Sequence, residues 1–361
     1  MSYQNVGTPR FYVDWNSYYN ALEVYTATAI YRADTDEKGS YFSMGMLNPS
    51  NQRYISPQDI AVGHNCSIRY NSDKWILDPE QVNWGGVLGH NLKTVDSSYF
   101  FSLGVDVGTT ELHYPYFNAI NDIVNSNLET EVVSKPQLDG FSLVELNGTN
   151  ATYTIEPTKI KKNHLGFTNI ASTSVGKQFK FGSWCIGNYF DMPNSPDLSL
   201  KLSFEYDGVK TIQTRGGATL SNAIYTKPAD WGDGGAWQLG SDVDGNTVDN
   251  LRSGRRVWDL SFSYISDSDL MPKVAATTNL GSGDNEYINP DTNTAYENSL
   301  LQGNDFFSQV WNRTLGGHLP FIFQANNSNN SPDQFSICRF DMDALEYDQV
   351  AHNVYNVKLK I

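Results

Sequence analysis

Between Arg256 and Tyr264 apolar and polar residues alternate, with Trp258, Leu260, Phe262 and Tyr264 separated by Asp259, Ser261 and Ser263. That period of two predicts a half-buried antiparallel strand, because successive side chains point to opposite faces. The same rhythm closes the chain, where Tyr355, Val357, Leu359 and Ile361 alternate with Asn356, Lys358 and Lys360. Between these strands the period changes. Phe306 and Val310, like Phe307 and Trp311, are four apart, which predicts an amphipathic helix over 304–315. Asn304 is its expected cap, Asp305 suits the positive end, Arg313 the last turn, and Gly316-Gly317 the left-handed stop.

Further strands are expected at Leu319–Phe323, Gln334–Phe340, Phe141–Leu146, Thr152–Ile155 and Phe179–Ile186. Leu198 to Tyr206 followed by Asp207-Gly208 and Val209 to Thr214 predicts a hairpin, with Glu205 facing Lys210. Tyr41–Met46, Cys66–Tyr70 and Tyr99–Val107 are shorter strand candidates, and Tyr116–Leu128 reads as a helix with weak periodicity. The pattern relaxes around 131–139, which contain Pro136. A boundary there divides the chain into an N-terminal β-rich domain, 1–135, and a C-terminal β-sandwich domain, 136–361. The second carries a Gly- and Trp-rich loop over 215–253 and the helix.

Composition agrees. Aromatics are 13% and Gly, Asn, Asp and Ser punctuate often, so the expected class is all-β: antiparallel sandwich or barrel domains with one helix. The formal net charge of −15 argues against nucleic acid as a partner. No apolar run reaches the length of a membrane span, and Met-Ser-Tyr-Gln-Asn opens no signal-peptide core. Three cysteines, Cys66, Cys185 and Cys338, lie far apart, which predicts free thiols and synthesis in a reducing cytoplasm.

Candidate chemistry is thin. Asp242, Asp244 and Asn246 imitate the start of a calcium loop, but Thr247 and Ser253 stand where it needs Gly and Glu. The pairs Asp267/Asp269 and Asp341/Asp343 are the acid pairs a glycosidase would need, yet nothing selects one pair among 40 acids. His64, His90, His113, His164, His318 and His352 lack zinc spacing. The expectation is therefore no catalytic residue, no metal and no cofactor. Contact residues are a different matter. Phe11, Tyr12 and Trp15 read either as an arm packing on a neighbour or as the first strand of the chain's own sheet. Trp231 and Trp237, in a Gly-rich loop, suit an oligomer contact or a sugar platform alike.

Several runs resemble virion structural proteins of tailed bacteriophages, marine cyanophages especially. They are Met1-Ser-Tyr-Gln-Asn-Val-Gly-Thr-Pro-Arg-Phe-Tyr12, Gly187-Asn-Tyr-Phe-Asp-Met-Pro-Asn-Ser-Pro-Asp-Leu198, Phe204-Glu-Tyr-Asp-Gly-Val-Lys-Thr-Ile212 and Ser253-Gly-Arg-Arg-Val-Trp-Asp-Leu-Ser-Phe-Ser-Tyr264. The C-terminal layout is similar to distal-tail and minor tail proteins, through Gly317-His-Leu-Pro-Phe-Ile-Phe323 and Arg339-Phe-Asp341. The resemblance implies a β-rich subunit of the virion, made in the host cytoplasm, whose partners are its own copies and other virion proteins. A host-surface glycan is the alternative partner, for a receptor-binding protein or adhesin. The resemblance implies no enzymatic residue.

Overall fold

The structure is a computed structural model. It describes residues 6–22, 25–32, 53–55, 66–72, 82–107, 110–114, 118–129, 133–147, 160–168, 179–181, 183–205, 209–223, 230–231, 234–235, 255–272 and 303–361. The all-β expectation holds: nearly every described element is an antiparallel strand.

The first strand, Arg10–Asp14, lies inside a seven-stranded sheet. The order is Phe335–Cys338, Phe321–Gln324, Arg10–Asp14, Ser183–Asp191, Trp84–His90, Gly140–Asn147 and Asn118–Val124. On one side Arg10 stands opposite Asp191, and its guanidinium donates two hydrogen bonds to that carboxylate, of 2.6 and 2.8 Å. On the other side Phe11 stands opposite Phe323. Strands before residue 135 therefore pair directly with strands after it, and the boundary expected near 131–139 does not divide this sheet.

The sheet curls. Phe335, on the first strand of that order, and Phe141, on the sixth, bring their rings to 6.1 Å. Tyr12, Trp84, Leu88, Leu143, Cys185 and Ile322 fill the concave side. Phe11, Val13, Phe321 and Phe323 point the other way and pack on a four-stranded sheet, ordered Lys201–Glu205, Arg255–Ser266, Val354–Lys360 and Tyr347–Ala351. Trp258, Leu260, Phe262, Val357 and Leu359 are its contribution to that shared core. Burying each large side chain stabilises by about 1.5–3 kcal/mol. A five-stranded sheet, containing Ser98–Val107 and Ile160–Thr168, meets the strands further along. Tyr99 and Ser142 share a hydroxyl hydrogen bond of 2.8 Å, and the Phe101 ring lies so close to Gly85 that a Cβ there would come within 2.7 Å of it.

Several expectations are corrected. The helix read at Tyr116–Leu128 is the edge strand Asn118–Val124. Two register shifts break its period of two and let neighbouring Ile123 and Val124 both be buried, so its pattern imitates a helix. The single strand read at Phe179–Ile186 is two, Phe179–Phe181 pairing with Arg53–Ile55 and Ser183–Asp191 joining the large sheet. Among the described residues Lys201–Glu205 and Val209–Gln213 do not pair with one another, against the expected hairpin. Lys201–Glu205 pairs instead with Arg255–Ser266, where Lys201 faces Asp259 and Glu205 faces Arg255. Two opposite-charge positions and the Leu202–Trp258 pair outweigh the one charge pair of the hairpin. Val209–Gln213 pairs forward with Thr219–Ala223. Tyr264 was expected on the inner face with Trp258, Leu260 and Phe262; a register shift turns it outward, 76% exposed, and brings Ile265 inward.

The amphipathic helix is present and short: a π-helical turn, Phe307–Trp311, followed by hydrogen-bonded turns. Its cap is Asp305, not Asn304, since the Asp305 carboxylate accepts from the Ser308 amide and hydroxyl, both at 2.8 Å. Gly316 and Gly317 stop it at φ of +67° and +86°, where a side chain would be strained. A second helix, Trp15–Ala21, was not expected. Asp14 caps it in the same manner, accepting from the Asn16 and Ser17 amides and the Ser17 hydroxyl. The two helices meet at Arg313, which is buried with its guanidinium 4.3 Å above the Trp15 ring and donates to the Tyr19 hydroxyl at 3.2 Å. The strand candidates Tyr41–Met46 and Thr152–Ile155 lie outside the described residues.

Candidate interaction surface

Three of the five contact residues chosen from the sequence belong to the interior. Phe11, Tyr12 and Trp15 are all fully buried within the chain. The Phe11 ring lies 5.5 Å from Phe306 and Phe321 and 5.3 Å from Phe323. The Tyr12 hydroxyl donates to Gln324 Oε1 at 2.7 Å, and burial raises its phenol well above the ordinary range. Of the two readings open for this stretch, the first strand of the chain's own sheet is the one adopted. A central strand is covered on both faces, which buries Phe11 and Tyr12, and Trp15 is buried at the start of the helix that follows, so these aromatics present nothing to a partner. Trp231 belongs to a short strand, Asp230–Trp231, paired with Gly234–Gly235. Trp237 and the calcium-like run from Asp242 to Asn246 lie outside the described residues.

The surface that does call for a partner was missed. Val209–Gln213 and Thr219–Ala223 form a two-stranded ribbon that pairs with no other strand among the described residues. Its turn is closed by Gly217 donating to the Thr214 carbonyl at 2.9 Å and by Thr214 donating to that of Ala218 at 2.8 Å. Ile212 and Leu220 stand directly opposite one another across the ribbon, 67% and 60% exposed. The signal was in the sequence: two short alternating runs around Arg215-Gly216-Gly217, without one acid from 209 to 223. It was passed over because Asp207-Gly208 offered a stronger turn four residues before Ile212.

A second open feature is the Tyr347–Ala351 strand, last in the order of the four-stranded sheet and, among the described residues, paired on one side only. The Tyr347 hydroxyl donates to the Leu270 carbonyl at 3.1 Å, which ties one face of the strand to the core. Val350 is 46% exposed, and Asp343, Glu346 and Asp348 are exposed on and before the strand.

Reactive groups are few. Among the described residues no cluster of His, Cys, Asp and Glu is placed to hold a metal. Burial pushes the His90 imidazole down to about 3, and its Nδ1 accepts from the Leu92 amide at 3.3 Å. Cys185, buried, and Cys338, half-buried, are free thiols that burial raises, so neither is a ready thiolate. Asp267 and Asp269 sit in a short helix capped by Ser266, and Asp341 is paired with Lys360. Among the described residues Asp14 is the one strongly displaced acid. Burial pushes its carboxyl up to about 6, against hydrogen bonds from Ser17, Asn16 and the Ile186 amide that favour its charge. It serves as a helix cap inside the core, not as a group facing a cleft.

No helix among the described residues is long and apolar enough to cross a membrane. No protein-family model, curated protein or solved structure matches the chain.

Proposed function

We propose that this chain is a structural subunit of a tailed-phage virion, in the tail or at its distal end. It acts through contacts with its own copies and with other virion proteins, and it turns over no substrate. The observation that carries the reading is the ribbon. A lone two-stranded ribbon is marginal in water, and one that holds an apolar pair in the open lacks a second layer to bury it. A neighbouring subunit supplies that layer. The unpaired Tyr347–Ala351 edge is a further place where a neighbour fits. The virion assignment itself rests on the resemblance of the runs quoted above, from Met1 to Tyr12 and from Ser253 to Tyr264.

Two measurements test it together: sedimentation of the purified chain across the micromolar range, and immuno-electron microscopy of phage particles with an antibody to the chain. Concentration-dependent assembly and labelling at the tail are expected. A chain that stays monomeric and labels no particle ends the reading. Retention on a host-polysaccharide panel without assembly would move the function to glycan recognition.

A further inference from the structure

We infer that the ribbon of one copy docks on the open Tyr347–Ala351 edge of a second copy of this chain. The inference deepens the assembly reading above and rests on it.

Charge selects the partner. Residues 209–223 carry Lys210 and Arg215 and no acid, within a chain of formal net charge −15. A basic, apolar ribbon is therefore drawn to an acidic surface bearing an exposed apolar side chain. The chain itself offers one. Residues 341–350 hold Asp341, Asp343, Glu346 and Asp348 without a Lys or Arg. Asp341 is engaged by Lys360, so the charge on offer comes from Asp343, Glu346 and Asp348, all exposed. Val350 supplies the apolar contact for Ile212 and Leu220. Ribbon-to-ribbon pairing is the obvious competitor, and it sets Lys210 and Arg215 against their own copies.

Topology then decides the kind of contact. The ribbon follows Lys201–Glu205, after residues 206–208, and that strand is one edge of the four-stranded sheet. Tyr347–Ala351 is the other edge. Three interstrand spacings, about 14 Å, separate the two edges. The patches on the two partners are thus different, and the contact is head-to-tail. Each copy gives a ribbon and receives one, so the interaction repeats into a ring or a filament instead of stopping at a symmetric pair.

Three double variants test it, each confined to exposed or edge positions: Ile212→Ser with Leu220→Ser, Lys210→Glu with Arg215→Glu, and Glu346→Lys with Asp348→Lys. Sedimentation velocity reads self-association, and thermal unfolding of each variant checks that the fold is kept. Each variant alone is expected to weaken association about tenfold or more. An equimolar mixture of the two charge-reversed variants is expected to restore it, because every contact in an alternating chain is then complementary. Association by the unaltered chain that survives all three variants overturns this contact and leaves the assembly reading standing. Loss in the single variants without recovery in the mixture overturns the pairing of these two patches. An unaltered chain that is monomeric throughout overturns the contact, and labelling of particles then judges the virion reading separately.

Discussion

Phe11 with Phe323, and Ile212 with Leu220, are the same device in two places: an apolar pair directly opposed across two antiparallel strands. The first pair is sealed, at 0% and 1% exposed, while the second stands in the open at 67% and 60%. Pairing across strands is local and contributes on the order of 0.2–1 kcal/mol in either setting. What differs is the layer above. Phe11 and Phe323 are covered by Trp258, Phe306 and Phe340 in a core shared by two sheets, whereas no described element covers the ribbon. A stretch that reads as a strand thus says nothing of whether its apolar face serves the fold or a neighbour.

The comparison is broken most directly at its sealed pole. Phe11→Ala removes a ring from among four other rings and is expected to cost about 3–5 kcal/mol, read from urea unfolding. A loss under about 1 kcal/mol would mean that the core collapses around the gap, and that burial here counts for less than argued.

Three residues further along the same strand, Asp14 adds a penalty that depends on pH. Its folded-state value near 6 lies above the ordinary 3.8 of an aspartate, so the folded chain holds the proton more tightly. Its contribution is most favourable below pH 4 and is lost as pH rises through 6. The loss approaches ~3 kcal/mol by pH 8. Asp14→Asn has no such slope, so its stability relative to the unaltered chain should climb between pH 4 and pH 7. A difference that is flat over that range would show that the cap's hydrogen bonds, and not desolvation, set the titration.

Asp305→Ala strips the matching cap from the other helix and should cost about 1 kcal/mol in the same unfolding assay. An unchanged midpoint would assign that turn's stability to Phe306 and Val310 alone. At the open pole, Ile212→Ser with Leu220→Ser should leave stability within about 0.5 kcal/mol, because no element among the described residues covers either side chain. A larger loss would place a hidden layer over the ribbon and erase the contrast.

Strands with an unbroken period of two were legible. Val354–Lys360 and the first half of Arg255–Ser266 stand where alternation put them, and Gly140–Asn147 covers the strand expected at Phe141–Leu146. The helix near 306–311 was legible from its four-residue spacing and its glycine stop. Trp84–His90 escaped because three of its seven residues are glycine, of which Gly85 and Gly86 admit the close approach of Phe101 and Leu143 instead of serving strand preference. Trp15–Ala21 escaped because its aromatics follow a strand without a break, and only the Asp14 cap marks the change. The ribbon, the centre of the candidate site, was half legible: its residues alternate, but its turn was assigned to the wrong pair.

Alternation, composition and charge were enough to settle the class of this protein, since each depends on residues close together in the chain. The partners of each strand were decided only in three dimensions. Lys201–Glu205 had one candidate four residues on and another some fifty residues away, and the distant one prevailed by matching charge at both ends and an apolar pair between. The same holds for exposure: whether Phe11 or Ile212 meets water depends on a second layer drawn from distant residues, and a single strand carries no record of it.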